Sequence, residues 1–380
     1  MKVSKDRILT THVGSLPRSE KVFKLIFARE AGEELDNNDY DKVIADAVKT
    51  VVIKQEEAGI DIVSDGEQSK ISYATYIKYR LNGFEGDSPR RTPRDLEEYP
   101  EFSTRASKSG GVPSFTRPRC TGEVSVKDTR PLEIDLINFS NALQERSVND
   151  AFMNAASPGV IAQFQPNDYY SDHRSYLYAL AEAMKVEYEG IAKAGFVIQI
   201  DSPDLALGRH VMFKDKSDSE FVSMVELHIE ALNHALENIP AEQLRLHVCW
   251  GNYQGPHHCD IEMKKILPAV LKAKPQALSF EGSNPRHSHE WTVFRDADIP
   301  EEKILIPGVL DSTTNFVEHP QLVSERICRF SEIVGRERII AGSDCGFSTF
   351  AGYGTVDADI TYAKLESLVK GAEIASGKLW

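Results

Sequence analysis

Four residues stand out for chemistry they could do together: His247, Cys249, Glu281 and Cys345. They lie in the runs Leu-His-Val-Cys-Trp, Ser-Phe-Glu-Gly and Gly-Ser-Asp-Cys-Gly-Phe, each closing a short apolar stretch. Two sulfurs, a nitrogen and an oxygen suit tetrahedral zinc, because thiolates select zinc over magnesium or calcium. The carboxylate is the ligand that can yield its place to an incoming group. Such a centre would bind a substrate thiol, strip its proton and present a thiolate for attack on carbon. The plain alternative is unrelated burial, since free cysteine is among the most buried residue types. The shared position at the ends of apolar runs favours a joint role.

These residues need elements to position them. Eight strand-like runs, residues 8–13, 60–64, 159–164, 196–200, 244–248, 277–280, 304–310 and 339–343, alternate with helical patterns. They are near-continuously apolar, as strands covered on both faces should be. Between them lie amphipathic segments such as residues 175–194, where Leu177, Leu180, Ala181, Met184, Tyr188 and Ile191 recur at helical spacing. Two helices end alike, in Glu-Ala-Gly-Ile-Asp and Lys-Ala-Gly-Phe-Val, a glycine cap followed at once by a strand. Repeated strand–helix units predict an α/β fold, a (β/α)8 TIM barrel, over residues 1–380 as a single catalytic domain. The rhythm breaks from about residue 70 to about 150, a stretch with the cluster Ser107-Lys108-Ser109-Gly110-Gly111, which reads as a long insertion after the second strand.

Chemistry in such barrels sits at the carboxyl ends of the strands. The residues that follow the runs form a polar ring: His12 and Ser15, Asp65 and Glu67, Gln163 and Gln165, Asp201, His247 with Cys249, Glu281, Asp311, and Asp344 with Cys345. Composition narrows the function. A formal charge of −14 argues against nucleic-acid binding, which needs a basic face. No apolar run approaches membrane-spanning length, and five cysteines without regular spacing argue against a disulfide framework. A reducing, cytoplasmic location is the expectation, and it would keep the thiolates available for metal.

The runs Thr-Thr-His-Val-Gly-Ser-Leu-Pro-Arg, Asp-Gly-Glu, Gln-Ile-Asp-Ser-Pro, His-Val-Cys and Ser-Asp-Cys-Gly resemble the catalytic half of cobalamin-independent methionine synthase. The resemblance spans nearly the whole chain and points to the shorter, single-barrel branch that includes epoxyalkane:coenzyme M transferases. It implies zinc held by His247, Cys249, Glu281 and Cys345. It implies that Gly14 and Ser15 touch the amino-acid part of a thiol substrate, with Asp201 and Glu67 holding its ammonium. Arg119 and Cys120 resemble the family's Arg-Cys pair near the folate donor, and a guanidinium is independently a carboxylate or phosphate clamp.

Three departures bear on the donor. Where the family has a catalytic histidine after the seventh strand, this chain reads Asp311-Ser312-Thr313, which makes Asp311 and Thr313 the catalytic candidates there. Leu207 stands where the family has an acidic residue. Gln163-Phe164-Gln165 stands where a tryptophan stacks the folate pterin. A donor needing no leaving-group protonation, such as a methylated corrinoid protein, would suit these changes. The expected function is therefore alkylation of a zinc-bound thiol, methyl transfer to homocysteine first. Thiol addition to an epoxide is the alternative, with Arg18 or Arg119 meeting an anionic thiol. A zinc hydrolase is a third reading, disfavoured by the two cysteines. His257, His258 and Cys259 form a second potential ligand cluster, in a loop where adjacent side chains point apart.

Overall fold

The computed structural model describes residues 1–109 and 115–380; Gly110 and Gly111 of the cluster noted above lie outside the described residues. Among the described residues ten strands are formed: β1 Leu9–Thr10, β2 Ile62–Ser64, β3 Leu81–Glu85, β4 Arg119–Val126, β5 Asp150–Ala156, β6 Val197–Asp201, β7 Leu244–Val248, β8 Ala277–Phe280, β9 Ile304–Leu310 and β10 Ile340–Ser343. Eight of them make one all-parallel sheet in the order β1-β10-β9-β8-β7-β6-β5-β2. β1 and β2 are its two ends, and side chains join them. Thr11 Oγ1 donates to Ile62 O at 3.0 Å, Ser64 Oγ donates to Gly14 O at 3.0 Å, and the Thr10 amide donates to Asp61 at 2.9 Å. The result is the nearly closed (β/α)8 barrel that the strand–helix rhythm predicts.

One strand is not where the sequence suggested. Residues 159–164 are helical, within a short helix at Pro158–Phe164, and the third barrel strand is β5. The Ser157 hydroxyl accepts the Val160 amide at 2.9 Å and Pro158 occupies the first turn, a helix start that outweighs the β-branched pair Val160-Ile161.

The interval between β2 and β5 has two parts. β3 and β4 form a separate antiparallel ribbon, with a short helix α1 at Arg94–Glu97 between them. The helix that follows, α2 at Arg130–Leu143, packs on the barrel helices at Asn37–Glu57 and His173–Lys193 and belongs to the regular unit. Those two barrel helices both end in Ala-Gly, with Gly59 at φ 83° and Gly195 at φ 89°, the left-handed cap expected from their sequence.

The barrel interior is layered. Its floor is apolar, formed by Leu9, Ile62, Phe152, Val197, Ala277, Ile304, Ile306 and Ile340. Above it Arg245 is fully buried, its guanidinium 4.0 Å from the Phe152 ring centroid and donating to Thr11 Oγ1 and His12 O at 3.0 and 2.8 Å. Burial lowers its pKa to about 9. His12 lies in the same layer, with Nε2 facing Gln55 Oε1 at 2.7 Å and Nδ1 accepting the Gly14 amide at 3.1 Å. It is a neutral, hydrogen-bonded barrel histidine, lowered to about 4 by burial. His12, expected in the polar ring, thus belongs to this buried layer instead.

Candidate active site

β7 and β10 deliver the sulfur-rich group. Cys249 Sγ and Cys345 Sγ stand 3.3 Å apart, and His247 Nε2 is 3.5 Å from Cys345 Sγ. The three donor atoms lie within 4.8 Å of one another, all buried, and both cysteines are free thiols. Their mutual hydrogen bond, burial and the nearby Glu281 push the Cys249 thiol well up. Cys345 also moves up: its bond with Cys249 pulls down, but burial and Glu281 outweigh it. Burial lowers the His247 imidazole to about 3, so it is neutral and able to ligate. Two close, buried thiols beside a neutral imidazole fit a soft divalent cation, which would bind them as thiolates.

Glu281 is outside that grouping. Its Oε1 accepts the Trp250 amide at 2.7 Å and its Oε2 accepts the Asn284 side-chain amide at 2.7 Å. Asp344 holds the same turn, accepting the amides of Gly282, Ser283 and Asn284, each at 2.8 Å. The loop carrying Glu281 is thus tied to the residue before Cys345.

A second feature stands beside the sulfur pair. Asp201 and His247 are paired across β6 and β7. Asp201 accepts the Asn154 and Gln199 side-chain amides at 2.9 and 2.8 Å. Glu67, with φ 54°, is buried and its Oε2 has no hydrogen-bond partner among the described residues. Burial raises Glu67 to about 8, with Lys70 opposing and Asp201 adding, and burial raises Asp201 to about 6. Two buried carboxylates, one with an unpaired oxygen, make a receptor for a cation with several N–H donors. Gly14 and Ser15 border it. A Cβ on Gly14, at φ 136°, would fall 2.1 Å from Asn154 Oδ1, and Ser15 Oγ lies 2.0 Å from where a Cβ on Gly346 would be.

Other expected site residues have different surroundings. Arg119 is half-exposed and paired with Asp168, its Nη2 2.6 Å from Oδ1. Cys120 is buried on β4, its thiol directed at Gly122 O at 3.4 Å and raised to about 11 by burial. Neither contacts the sulfur group. Arg18 donates to the backbone carbonyls of Glu67, Lys70 and Ser348 at 2.5, 2.9 and 2.8 Å, which leaves it a loop clamp rather than an anion receptor. Asp311 accepts both the amide and the hydroxyl of Thr313, at 3.0 and 2.8 Å, so the threonine hydroxyl is already committed. Three tyrosines follow Lys70 closely, Tyr73, Tyr76 and Tyr79, and they divide. Tyr76 and Tyr79 bond to Glu187 and Glu30, whereas Tyr73 faces Phe164 and Phe350 at 5.7 and 5.8 Å and is raised by burial and then by the two cysteines. Cys328 packs on the core from a helix. Sequence reasoning missed Asn154, Gln199 and Lys70, whose Nζ donates to Asn154 O at 2.6 Å.

No helix among the described residues is long and apolar enough to cross a membrane. A profile described as "Cobalamin-independent synthase, Catalytic domain" matches residues 8–89 and 126–373. A protein of Thermococcus kodakarensis named methionine synthase is 26% identical over 97% of this chain and 94% of its own length. A methionine synthase of Saccharolobus solfataricus is 24% identical over 97% and 95%. In fold, the chain is similar to a B12-independent methionine synthase from Shewanella sp. W3-18-1, with TM-score 0.74, 20% identity, and 98% and 99% of the two chains covered. A family defined as cobalamin-independent gives no support to a methylated corrinoid partner, and that expectation is withdrawn. The profile covers most of the barrel and the segments bearing the sulfur group and both buried carboxylates, and on that ground the chain belongs to the cobalamin-independent synthase catalytic-domain family, among methyltransferases.

Proposed function

We propose that this protein transfers a methyl group to the sulfur of homocysteine, using zinc held by His247, Cys249, Cys345 and Glu281. The observation that carries the reading is a buried sulfur–nitrogen donor group with the buried Asp201 carboxylate on the adjacent strand, and Glu67, from the turn after β2, acting electrostatically on that carboxylate. One end suits a thiol and the other an ammonium, and homocysteine has both. Bound zinc would supply acidity, holding the acceptor sulfur as thiolate at neutral pH.

The chain's own residues do the positioning. Glu67 and Asp201 take the ammonium, and the Gln199 and Asn154 amides fix the Asp201 carboxylate so that it does not rotate away. Gly14 is required because a Cβ there would displace the Asn154 amide, and Ser15 places its hydroxyl against Gly346, next to Cys345. Holding the acceptor at both ends turns a bimolecular encounter into a positioned attack. Asp311, buried and next to Thr313, is the acidic group available where the donor's leaving group would need a proton.

The test is a product assay with purified, zinc-loaded protein, homocysteine and a panel of methyl-folate and epoxide electrophiles, with metal content measured in parallel. Methionine formation dependent on zinc is the expected result. Thioether formation only from epoxides would replace this reading with thiol addition, and water-dependent cleavage without thiol consumption would replace it with hydrolysis.

A further inference from the structure

We infer that Asp260 is a positioning residue for the metal centre, setting where the Glu281 carboxylate stands. The inference rests on the zinc-centred reading above. Asp260 lies in the loop after β7, and its side chain is 1% exposed. Its Oδ2 meets His287 Nε2 at 2.9 Å and His257 Nδ1 at 3.0 Å, and its Oδ1 faces His210 Nε2 at 3.2 Å.

The other nitrogen of each bonded ring also faces an acceptor. His287 Nδ1 meets Glu290 Oε2 at 2.8 Å, and His257 Nε2 meets Tyr253 O at 3.0 Å. A neutral imidazole would turn a lone pair against one of these oxygens, so both rings serve their partners only as imidazolium. The shifts agree. Burial works against the charge, yet the bonds to Asp260 outweigh it and push His287 to about 10 and His257 to about 9.

The network reaches the site through Trp250. The His287 ring stacks on the Trp250 indole, with centroids 4.1 Å apart and planes 26° from parallel, and the indole N–H donates to Ile261 O at 2.7 Å. Trp250 follows Cys249, and its amide is the donor that holds Glu281 Oε1. His257 carries the network outward. It has a left-handed backbone, φ 53°, and its amide donates at 2.9 Å to Asp95 of α1, which also accepts the Tyr253 hydroxyl. A non-glycine residue holds that conformation only when its contacts over-determine it. Asp260 therefore braces the loop between Cys249 and Ile261 against two neighbours. One is the loop bearing Glu281; the other is the insertion between β3 and β4.

The experiment measures zinc affinity by competition with a chromophoric chelator, together with zinc-edge X-ray absorption of the loaded protein; neither needs turnover. In Asp260→Asn the amide N–H would oppose an imidazolium. The expected result is affinity weakened by roughly 10–100-fold, as for lost outer partners of metal ligands, with two sulfurs kept and the oxygen contribution altered. His287→Gln carries the same expectation and stands in should Asp260→Asn not fold. Wild-type affinity and an unchanged zinc spectrum in a folded variant, with only the melting temperature lowered, would show the network to be structural and overturn the inference. Absence of zinc binding by the wild-type protein would sink the parent reading instead, and this inference with it.

Discussion

Binding of an amino acid at the Glu67–Asp201 pair should depend steeply on pH, and the structure sets the sign. Glu67 ionises at about 8 in the free protein because it is buried, and Asp201 at about 6. An ammonium needs the charged carboxylate, so apparent affinity scales with the ionised fraction of Glu67. With a midpoint near 8, that fraction is roughly 1% at pH 6 and half at pH 8, which makes binding about fiftyfold tighter at the higher pH. Methionine is the ligand to use, since it has the ammonium but no thiol to titrate. Calorimetric titration across this range reads the effect directly. Glu67→Gln should flatten the profile and weaken binding at pH 8 by about 2 kcal/mol or more, roughly thirtyfold.

Stability supplies an independent check of the same shift. The folded state keeps Glu67 protonated to higher pH than the unfolded chain, where its ordinary value is 4.5. Wild type therefore loses stability as pH rises from 4.5 through about 8. Glu67→Gln, which cannot ionise, should gain on wild type over that window and show no gain at pH 4. A flat methionine affinity together with no relative gain for the variant would refute the assignment of Glu67 as a buried, ligand-seeking acid.

Other expectations follow from the same geometry. Cys249→Ser and Cys345→Ser should each lose zinc and activity while the barrel stays folded, because its floor and helix packing do not involve them; elemental analysis and circular dichroism decide this. Homocysteine added to the zinc-loaded protein should raise the sulfur count at the zinc edge by one, with the Glu281 oxygen lost or lengthened, whereas an unchanged count would exclude direct thiolate activation. Gly14→Ala should lower stability by about 1–3 kcal/mol through overpacking, since its Cβ would overlap Asn154, and a calorimetric melt shows it. Asp311→Asn should reduce kcat by about 10²-fold or more if this group supplies a proton, while Thr313→Val, whose hydroxyl only serves Asp311, should change it little.

The strand-end chemistry was legible because a parallel barrel concentrates it. His247, Cys249 and Cys345 stand at the ends of apolar runs, and the fold brings these two runs to one rim. Asn154 was not legible while residues 159–164 passed for the third strand. The pair Ser157-Pro158 was the available signal, a cap and first-turn proline that start a helix and push the strand upstream. Lys70 offered only its charge near Asp65 and Glu67. Of the Asp260 network only His257 was noticed, as a potential metal ligand; its partners Asp95, His210, Asp260 and His287 share no period with it and meet it only in three dimensions. Arg18 and Arg119 show the converse limit. Their guanidinium chemistry was plain, but backbone carbonyls take both terminal nitrogens of Arg18 and Asp168 pairs with Arg119.

The register between β6 and β7 turns these parts into a constraint on the acceptor. Asp201 and His247 are direct partners, and neighbouring strands lie about 4.8 Å apart. The Asp201 carboxylate and the sulfur group are therefore one strand spacing apart on the barrel wall, with Glu67, from the turn after β2, acting on Asp201. A single small molecule must carry its ammonium and its sulfur a few bonds apart to reach both. An amino acid with a short thiol side chain meets that condition, whereas a thiol without an ammonium would leave Glu67 Oε2 buried and unpaired, an arrangement that disfavours its binding by the desolvation of that oxygen. On the proposed function, specificity for the acceptor would reside less in the sulfur pocket, which suits any thiolate, than in Asp201 on the neighbouring strand and the Glu67 acid that acts on it.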